Sequence, residues 1–327
     1  MSQLKSYFSV LLVSLLVLAA AGYTQAQDRA AAVDAFNEAQ ELLRASQFEQ
    51  ALAQFQETRR IAQQAGSDAD DIRERAETQI PAIQVQIGQN SFRARNFEQA
   101  ISEFDKAYEL ANDVGNTRIA QQVSANIPVI MLQWGNTEFN ANNNDRAEEI
   151  YRMALERNEN YAQAFHQLGL IERRRGNMDA ALSNFDRAAE LATAQGRTDV
   201  AQQARNSARD YLTFAGATQI EEENFRRAVE LLNRSLTYDN NHAETLYRLS
   251  EAHNQLGNWS QAVTNATRAL EFEQGGQVAR ARIFFELGFA QMNQGNDSQA
   301  CTAFSNAAFG NFRAPAEHHM EHDLDCP

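Results

Sequence analysis

The densest group of titratable and metal-ligating side chains in this 327-residue chain is His318-His319-Met320-Glu321-His322-Asp323, which ends three residues before Cys326. On a helix, His318 and His322 at i and i+4 present two imidazoles on one face, donors that suit a borderline or soft divalent ion. Cys326 has a rival use in a disulfide, and a polar tail needs no metal to exist, so neither a metal nor another cofactor is expected. The remaining histidines, His166, His242 and His253, stand beside no serine or cysteine nucleophile motif, and the sequence contains no HExxH and no glycine-rich phosphate loop. Acidic runs such as Asp68-Ala69-Asp70-Asp71 and Glu221-Glu222-Glu223 fall where helices start, where carboxylates complement the positive end of the helix dipole. They read as solvated helix starts, and the chain is not expected to be an enzyme.

The elements that carry these side chains follow a repeat. Seven helical anchors, Ala51, Ala100, Ala147, Ala181, Ala228, Ala262 and Ala300, are followed four residues later by Phe55, Phe104, Tyr151, Phe185, Leu232, Ala266 and Phe304. Three residues further come Thr58, Ala107, Ala154, Ala188, Ser235, Ala269 and Ala307, on the same helical face. Twelve residues before each anchor is another small residue, Ala39, Gly88, Gly135, Gly169, Gly216, Ser250 or Gly288, where two helices can approach closely. At three before the anchor, Phe48, Phe97, Met178, Phe225 and Trp259 can pin the entry of a second helix. A recurring unit of this kind means stacked modules rather than one closed globule, and it favours binding over catalysis.

The anchors are spaced 49, 47, 34, 47, 34 and 38 residues apart. Gly66, Gly115 and Gly196 each lie 15 residues after an anchor and read as glycines ending a long second helix. Asp68, Thr117 and Thr198 then offer N-caps for the next helix. Those helices run through Asp71 to Phe92 and through Ile119 to Phe139, with Pro81 and Pro128 at equivalent points where each would kink the helix or begin a new one.

The register resembles the tetratricopeptide repeat over roughly residues 32 to 312. The family's proline at the end of the second helix is missing from every copy, Glu38 precedes the small residue of copy 1, and Asn144 and Asp297 replace the aromatic in copies 3 and 7. The resemblance implies an all-α fold, a right-handed α-solenoid of about seven helix pairs over residues 27–312, with a C-terminal tail over 313–327. It also implies that the first helix of each pair lines a concave groove and that the partner is a protein or peptide. The candidate partner-binding residues are then Gln89, Phe92, Arg93, Asn136, Phe139, Asn140, His166, Arg173, Arg174 and Tyr247. Their amides can hydrogen-bond an extended backbone, their aromatics supply anchors, and Arg93, Arg173 and Arg174 suit a carboxylate. The family's carboxylate clamp is not reproduced: its lysine is missing, and Asn136 and Asn140 stand a full repeat from Arg173.

Residues 1–26 read as a secretory signal peptide: Lys5, an apolar run from Tyr7 to Ala21, and the small-x-small site Thr24-Gln25-Ala26. The run is too short to span a membrane comfortably. A periplasmic or secreted protein is expected, with no stable membrane insertion after cleavage. The two cysteines, Cys301 and Cys326, form an even count in an exported chain and are expected to pair, tying the tail back over the last repeat. The net charge of −14 makes nucleic acid and anionic lipid poor partners. The expected function is a non-catalytic scaffold or adaptor for a cell-envelope complex. The rival readings are a small-ligand, glycan or metal-binding protein and an accessory subunit of an envelope enzyme.

Overall fold

The computed structural model describes residues 27–327, so the signal-peptide reading lies outside the described residues. Within them the chain forms helix pairs: α1 (27–44) with α2 (Phe48–Ala65), α3 (Asp70–Arg93) with α4 (Phe97–Asp113), and α5 (Thr117–Asn140) with α6 (Asn144–Arg157). Four more follow: α7 (Ala162–Arg175) with α8 (Met178–Ala194), α9 (Thr198–Glu221) with α10 (Phe225–Ser235), α11 (Ala243–Gln255) with α12 (Trp259–Phe272), and α13 (Gln277–Asn293) with α14 (Asp297–Ala307). A short α15 (Arg313–His318) and a π turn over His319–Asp323 close the chain. The backbone packs as two compact units, one reaching to Glu159 and one over Asn160–Pro327. No helix of the described residues is long and apolar enough to cross a membrane.

Each pair is closed by the same contact. A Cβ built on Gly88 would lie 3.0 Å from the Phe104 ring, on Gly169 2.6 Å from the Phe185 ring, on Gly216 2.6 Å from Leu232, and on Gly288 3.0 Å from the Phe304 ring; on Gly135 it would overlap the Tyr151 ring. The small residue before the anchor therefore receives the bulky residue after it, sixteen positions on in every copy. In the α11–α12 pair the bulky position is Ala266, and the small one is enlarged to Ser250, whose Oγ donates to the Ala262 carbonyl at 2.9 Å. Phe55, Tyr151, Phe185 and Phe304 are fully buried by this arrangement.

The turn inside each pair is also uniform. Five residues before each anchor the backbone is left-handed, at Ser46, Arg95, Asn142, Gly176, Glu223, Gly257 and Gly295. The first helix ends there in a Schellman turn, as where Arg95 N–H reaches the Phe92 carbonyl and Asn96 N–H the Ser91 carbonyl, at 3.0 and 2.9 Å. The long connections behave differently from expectation in one respect. Gly115 and Gly196 do terminate α4 and α8 with positive φ, but the N-cap of α5 is Asn116, which accepts from Ile119 N–H at 3.2 Å, and that of α9 is Arg197. Thr117 and Thr198 are the first helical residues. Asp68 lies in a 3-10 turn over Gly66–Ala69, and α3 starts at Asp70. Pro81 and Pro128 lie inside the continuous helices α3 and α5 and begin no new ones.

First helices touch their successors: α3 meets α5 in the first unit, and α7 meets α9, α9 meets α11 and α11 meets α13 in the second. Each unit thus presents a face built from neighbouring first helices.

Candidate peptide-binding faces

In the first unit, Gln89, Phe92 and Arg93 occupy the last two turns of α3, and Asn136, Phe139 and Asn140 those of α5. Arg93 and Asn140 are exposed, and the other four are half-buried. Phe92 packs edge-on against Phe97 at 6.0 Å. Arg93 donates to Asn90 Oδ1 at 2.9 Å, a contact within its own helix that leaves the guanidinium at the surface. Asn136 is engaged inside its pair: its Oδ1 accepts from the Tyr151 hydroxyl at 2.8 Å.

In the second unit, Arg173 and Arg174 are exposed on the last turn of α7. Two other candidates are not groove-lining. His166 is 5% exposed, its Nε2 lies 2.9 Å from Ser207 Oγ on α9, and its ring leans on Phe185. Burial, with Arg173 nearby, lowers its pKa to about 4. Tyr247 is 6% exposed, with the Arg282 and Arg248 guanidinium groups 4.7 and 5.0 Å from its ring centre. Burial and the neighbouring Glu251 and Glu286 raise its phenol above the ordinary range. The reason is common to both. Three residues before the small position, a side chain points between its own first helix and the neighbouring one, and Phe36, Val85, His166, Thr213 and Tyr247 are all buried there. In α3, α5 and α7 surface lining comes instead from positions one, four and five after the small residue, as at Gln89, Phe92 and Arg93; in α9 and α11 the fourth position, Ile220 or Asn254, is buried.

Glu286, on α13, is a largely buried acid that the repeat register did not single out. Its Oε2 and its backbone carbonyl accept from Asn254 Nδ2 at 2.7 and 2.9 Å. It stands two residues before Gly288, where the corresponding residues of the earlier copies include Gln86, Gln133 and Gln167. An acid in place of an amide was the available signal.

Two histidine–hydroxyl pairs have the composition of a catalytic dyad but not its setting. His242 Nδ1 lies 2.8 Å from Thr245 Oγ1, which joins Thr213 and Ser235 in a buried hydroxyl network between α9, α10 and α11. Thr245 and Ser235 have no exposed surface. His166, the partner of Ser207, is too weak a base near neutral pH to accept a proton from a hydroxyl.

The tail changes the reading of the last repeat. Cys301 and Cys326 are disulfide-bonded, with their Cα atoms 5.7 Å apart. His319 stacks on Phe304 at 4.9 Å and also meets Phe285 and Phe289, while Phe312 packs on Phe285. Phe285, Phe289 and Met292 are therefore covered by the protein's own tail. His318 and His322 remain exposed, their ring centres 4.8 Å apart. No group of three or more His, Cys, Asp or Glu side chains among the described residues is placed to hold a metal.

Sequence models of the tetratricopeptide repeat match residues 132–196 and 219–283. The chain is a tetratricopeptide repeat protein. As a tetratricopeptide repeat array it is an interaction scaffold in the general sense, with protein or peptide partners. Among solved structures it is similar to YrrB, described as a tetratricopeptide repeat protein with an unusual peptide-binding site, at 17% identity over 59% of this chain and 91% of that one, with a TM-score of 0.37. MamA is similar at 16% identity over 61% of this chain and 97% of that one, with a TM-score of 0.38. The C-terminal part of a tetratricopeptide repeat protein from Cytophaga hutchinsonii is similar at 15% identity over 72% and 82%, with a TM-score of 0.40. No curated protein matches the sequence.

Proposed function

We propose that this protein is exported and acts as a non-catalytic adaptor in the cell envelope, holding an extended segment of a partner protein against its first-helix faces. The observation that carries the reading is the division of labour within each helix pair. The small-to-bulky contact consumes the inner faces, while Arg93, Asn140 and Arg173, four or five residues after the small position, are exposed, with Gln89, Phe92, Asn136 and Phe139 half-buried beside them. Amide side chains match the donors and acceptors of an extended backbone, and exposed Arg93 and Arg173 offer a carboxylate paired, planar donors. Export rests on the leader-like residues 1–26 and on a cysteine pair suited to an oxidising compartment.

The test is in-cell crosslinking of a tagged copy with its native leader, followed by fractionation and mass spectrometry of the captured material. A mature N-terminus at Gln27 in the exported fraction, and a partner lost from Arg93→Glu or Arg173→Glu but retained by wild type, is the expected result. A folded, unprocessed protein in the cytoplasm rejects export, and a partner held equally by both variants rejects these arginines as its contacts.

A further inference from the structure

Of the six histidines, four have a ring nitrogen already engaged. His166 Nε2 lies 2.9 Å from Ser207 Oγ, His242 Nδ1 2.8 Å from Thr245 Oγ1, His253 Nδ1 3.4 Å from Asn258 Nδ2, and His319 Nδ1 2.6 Å from Asp323 Oδ2. His318 and His322 are the exceptions: both are exposed, and neither makes a hydrogen bond or ion pair with any described residue. They are also each other's neighbours, with ring centres 4.8 Å apart and ring planes inclined at 57°.

That spacing is the one a shared metal ion sets. Imidazole nitrogen binds Zn²⁺ at about 2.0–2.1 Å, and the ring centre stands roughly 1.1 Å behind the nitrogen, so each ring centre lies about 3.2 Å from the ion. Two such rings are about 4.5 Å apart at a ligand angle of about 90° and about 5.2 Å apart at the tetrahedral angle. The observed 4.8 Å falls between them. The backbone carrying the pair is held on both sides: Ala316 is fully buried upstream, His319 stacks on Phe304 at 4.9 Å between the two, and downstream the Cys326 N–H donates to the Met320 carbonyl at 2.8 Å. The bond to Cys301 withdraws Cys326 as a competing ligand. The surroundings favour a cation, since Glu317, Glu321, Asp323 and Asp325 share this stretch and no Lys or Arg follows Arg313. No third side chain among the described residues completes the ligand set, so water fills the rest of the coordination shell.

We propose that His318 and His322 form a two-imidazole chelate for a borderline divalent cation, Cu²⁺ ahead of Zn²⁺, with water in the remaining positions. Cu²⁺ leads because nitrogen donors follow the Irving–Williams order. The bound ion joins the last residue of α15 to the π turn over His319–Asp323. It therefore clamps the segment that holds His319 against Phe285, Phe289 and Phe304. The site lies apart from the first-helix residues assigned to the partner and does not depend on that assignment.

The experiment titrates Zn²⁺ into the purified protein, stripped of metal and with its disulfide intact, while NMR follows the imidazole C–H resonances. The expected result is one ion per chain, shifting His318 and His322 together and leaving His166, His242 and His253 in place. Cu²⁺, followed by calorimetry, should bind at the same stoichiometry and displace Zn²⁺ at equal concentration. His318→Ala and His322→Ala should each weaken both ions by about tenfold or more, because losing a ligand costs at least as much as losing a group that orients one. His253→Ala should leave binding unchanged. Zn²⁺ should also slow amide exchange over residues 313–323 in the wild type and not in either variant. No binding beyond that of the His318→Ala/His322→Ala double variant, shifts confined to other histidines, or wild-type affinity in a folded single variant would overturn the chelate. Zn²⁺ held more tightly than Cu²⁺ would mean further protein ligands and would overturn the two-imidazole assignment.

Discussion

Substituting Gly169 by alanine separates two opposed effects of one methyl group. In an exposed helix interior, glycine to alanine stabilises by about 0.5–1 kcal/mol through backbone entropy and propensity. Here the new Cβ would lie 2.6 and 2.7 Å from Phe185 ring carbons and 3.1 Å from the Ala181 carbonyl oxygen. The ring is fully buried against His166, and the carbonyl belongs to helix backbone, so neither can withdraw without moving α8. Overpacking of this kind costs about 1–3 kcal/mol, which leaves a net loss on the order of 1–2 kcal/mol. Gly288 supplies the comparison. Its nearest contacts would be 3.0 Å, all to the Phe304 ring and none to backbone, so Gly288→Ala should fall near neutrality. The assay is urea unfolding followed by far-UV circular dichroism, with amide hydrogen exchange in α7 and α8 because repeat arrays need not unfold in one step. In a Phe185→Leu background the Gly169→Ala penalty should shrink, a coupling that a double-mutant cycle reads directly. A gain in stability from Gly169→Ala in the wild-type background would refute the small-to-bulky contact as the closure of the repeat.

Other expectations follow from the same structure. Arg95→Gly and Glu223→Gly should each stabilise by about 0.5–1 kcal/mol, because both residues hold a left-handed conformation that glycine adopts freely; melting temperatures check this. His166 has a folded pKa of about 4, below its ordinary 6.5, so its contribution to stability is complete above 6.5 and is lost as pH falls toward 4. Linkage makes that loss about 2 kcal/mol between pH 7 and pH 5, and His166→Gln should flatten this part of the stability profile. Glu286 has the opposite sign: its raised pKa favours the fold at low pH and disfavours it as pH rises through 7, so Glu286→Gln should raise the melting temperature at pH 8 but not at pH 4. Replacing Cys301 and Cys326 by serine should destabilise the last repeat by about 3 kcal/mol. It should also increase dye binding as Phe285, Phe289 and Met292 lose their cover.

The repeat was legible because its closing contact is written in residue size alone: glycine at one position, a ring sixteen residues later. The left-handed turn was half legible. Gly176, Gly257 and Gly295 mark it, but Ser46, Arg95, Asn142 and Glu223 adopt the same conformation without the marker, held by the paired Schellman hydrogen bonds. Cap positions slipped by one because Asn116 follows the Gly115 turn directly, and Thr117 is as good a cap by type. The burial of His166 and Tyr247 was not legible, since it depends on how closely the next repeat's first helix approaches. Glu286 was hidden for the same reason. A polar residue two before Gly288 is ordinary in the sequence, and only its burial in the packed repeat, with Glu251 of α11 close by, makes its carboxyl hard to ionise.

The central claim, that first-helix faces bind a partner, is tested most directly by placing a photoreactive amino acid at single sites in cells. Arg93, Asn140 and Arg173 stand on those faces, and Gln56, Glu109 and Glu190 stand on second helices. The account predicts one partner crosslinked from the first set and not from the second. Crosslinks to that partner from the second-helix sites alone, in folded and correctly located protein, would contradict it.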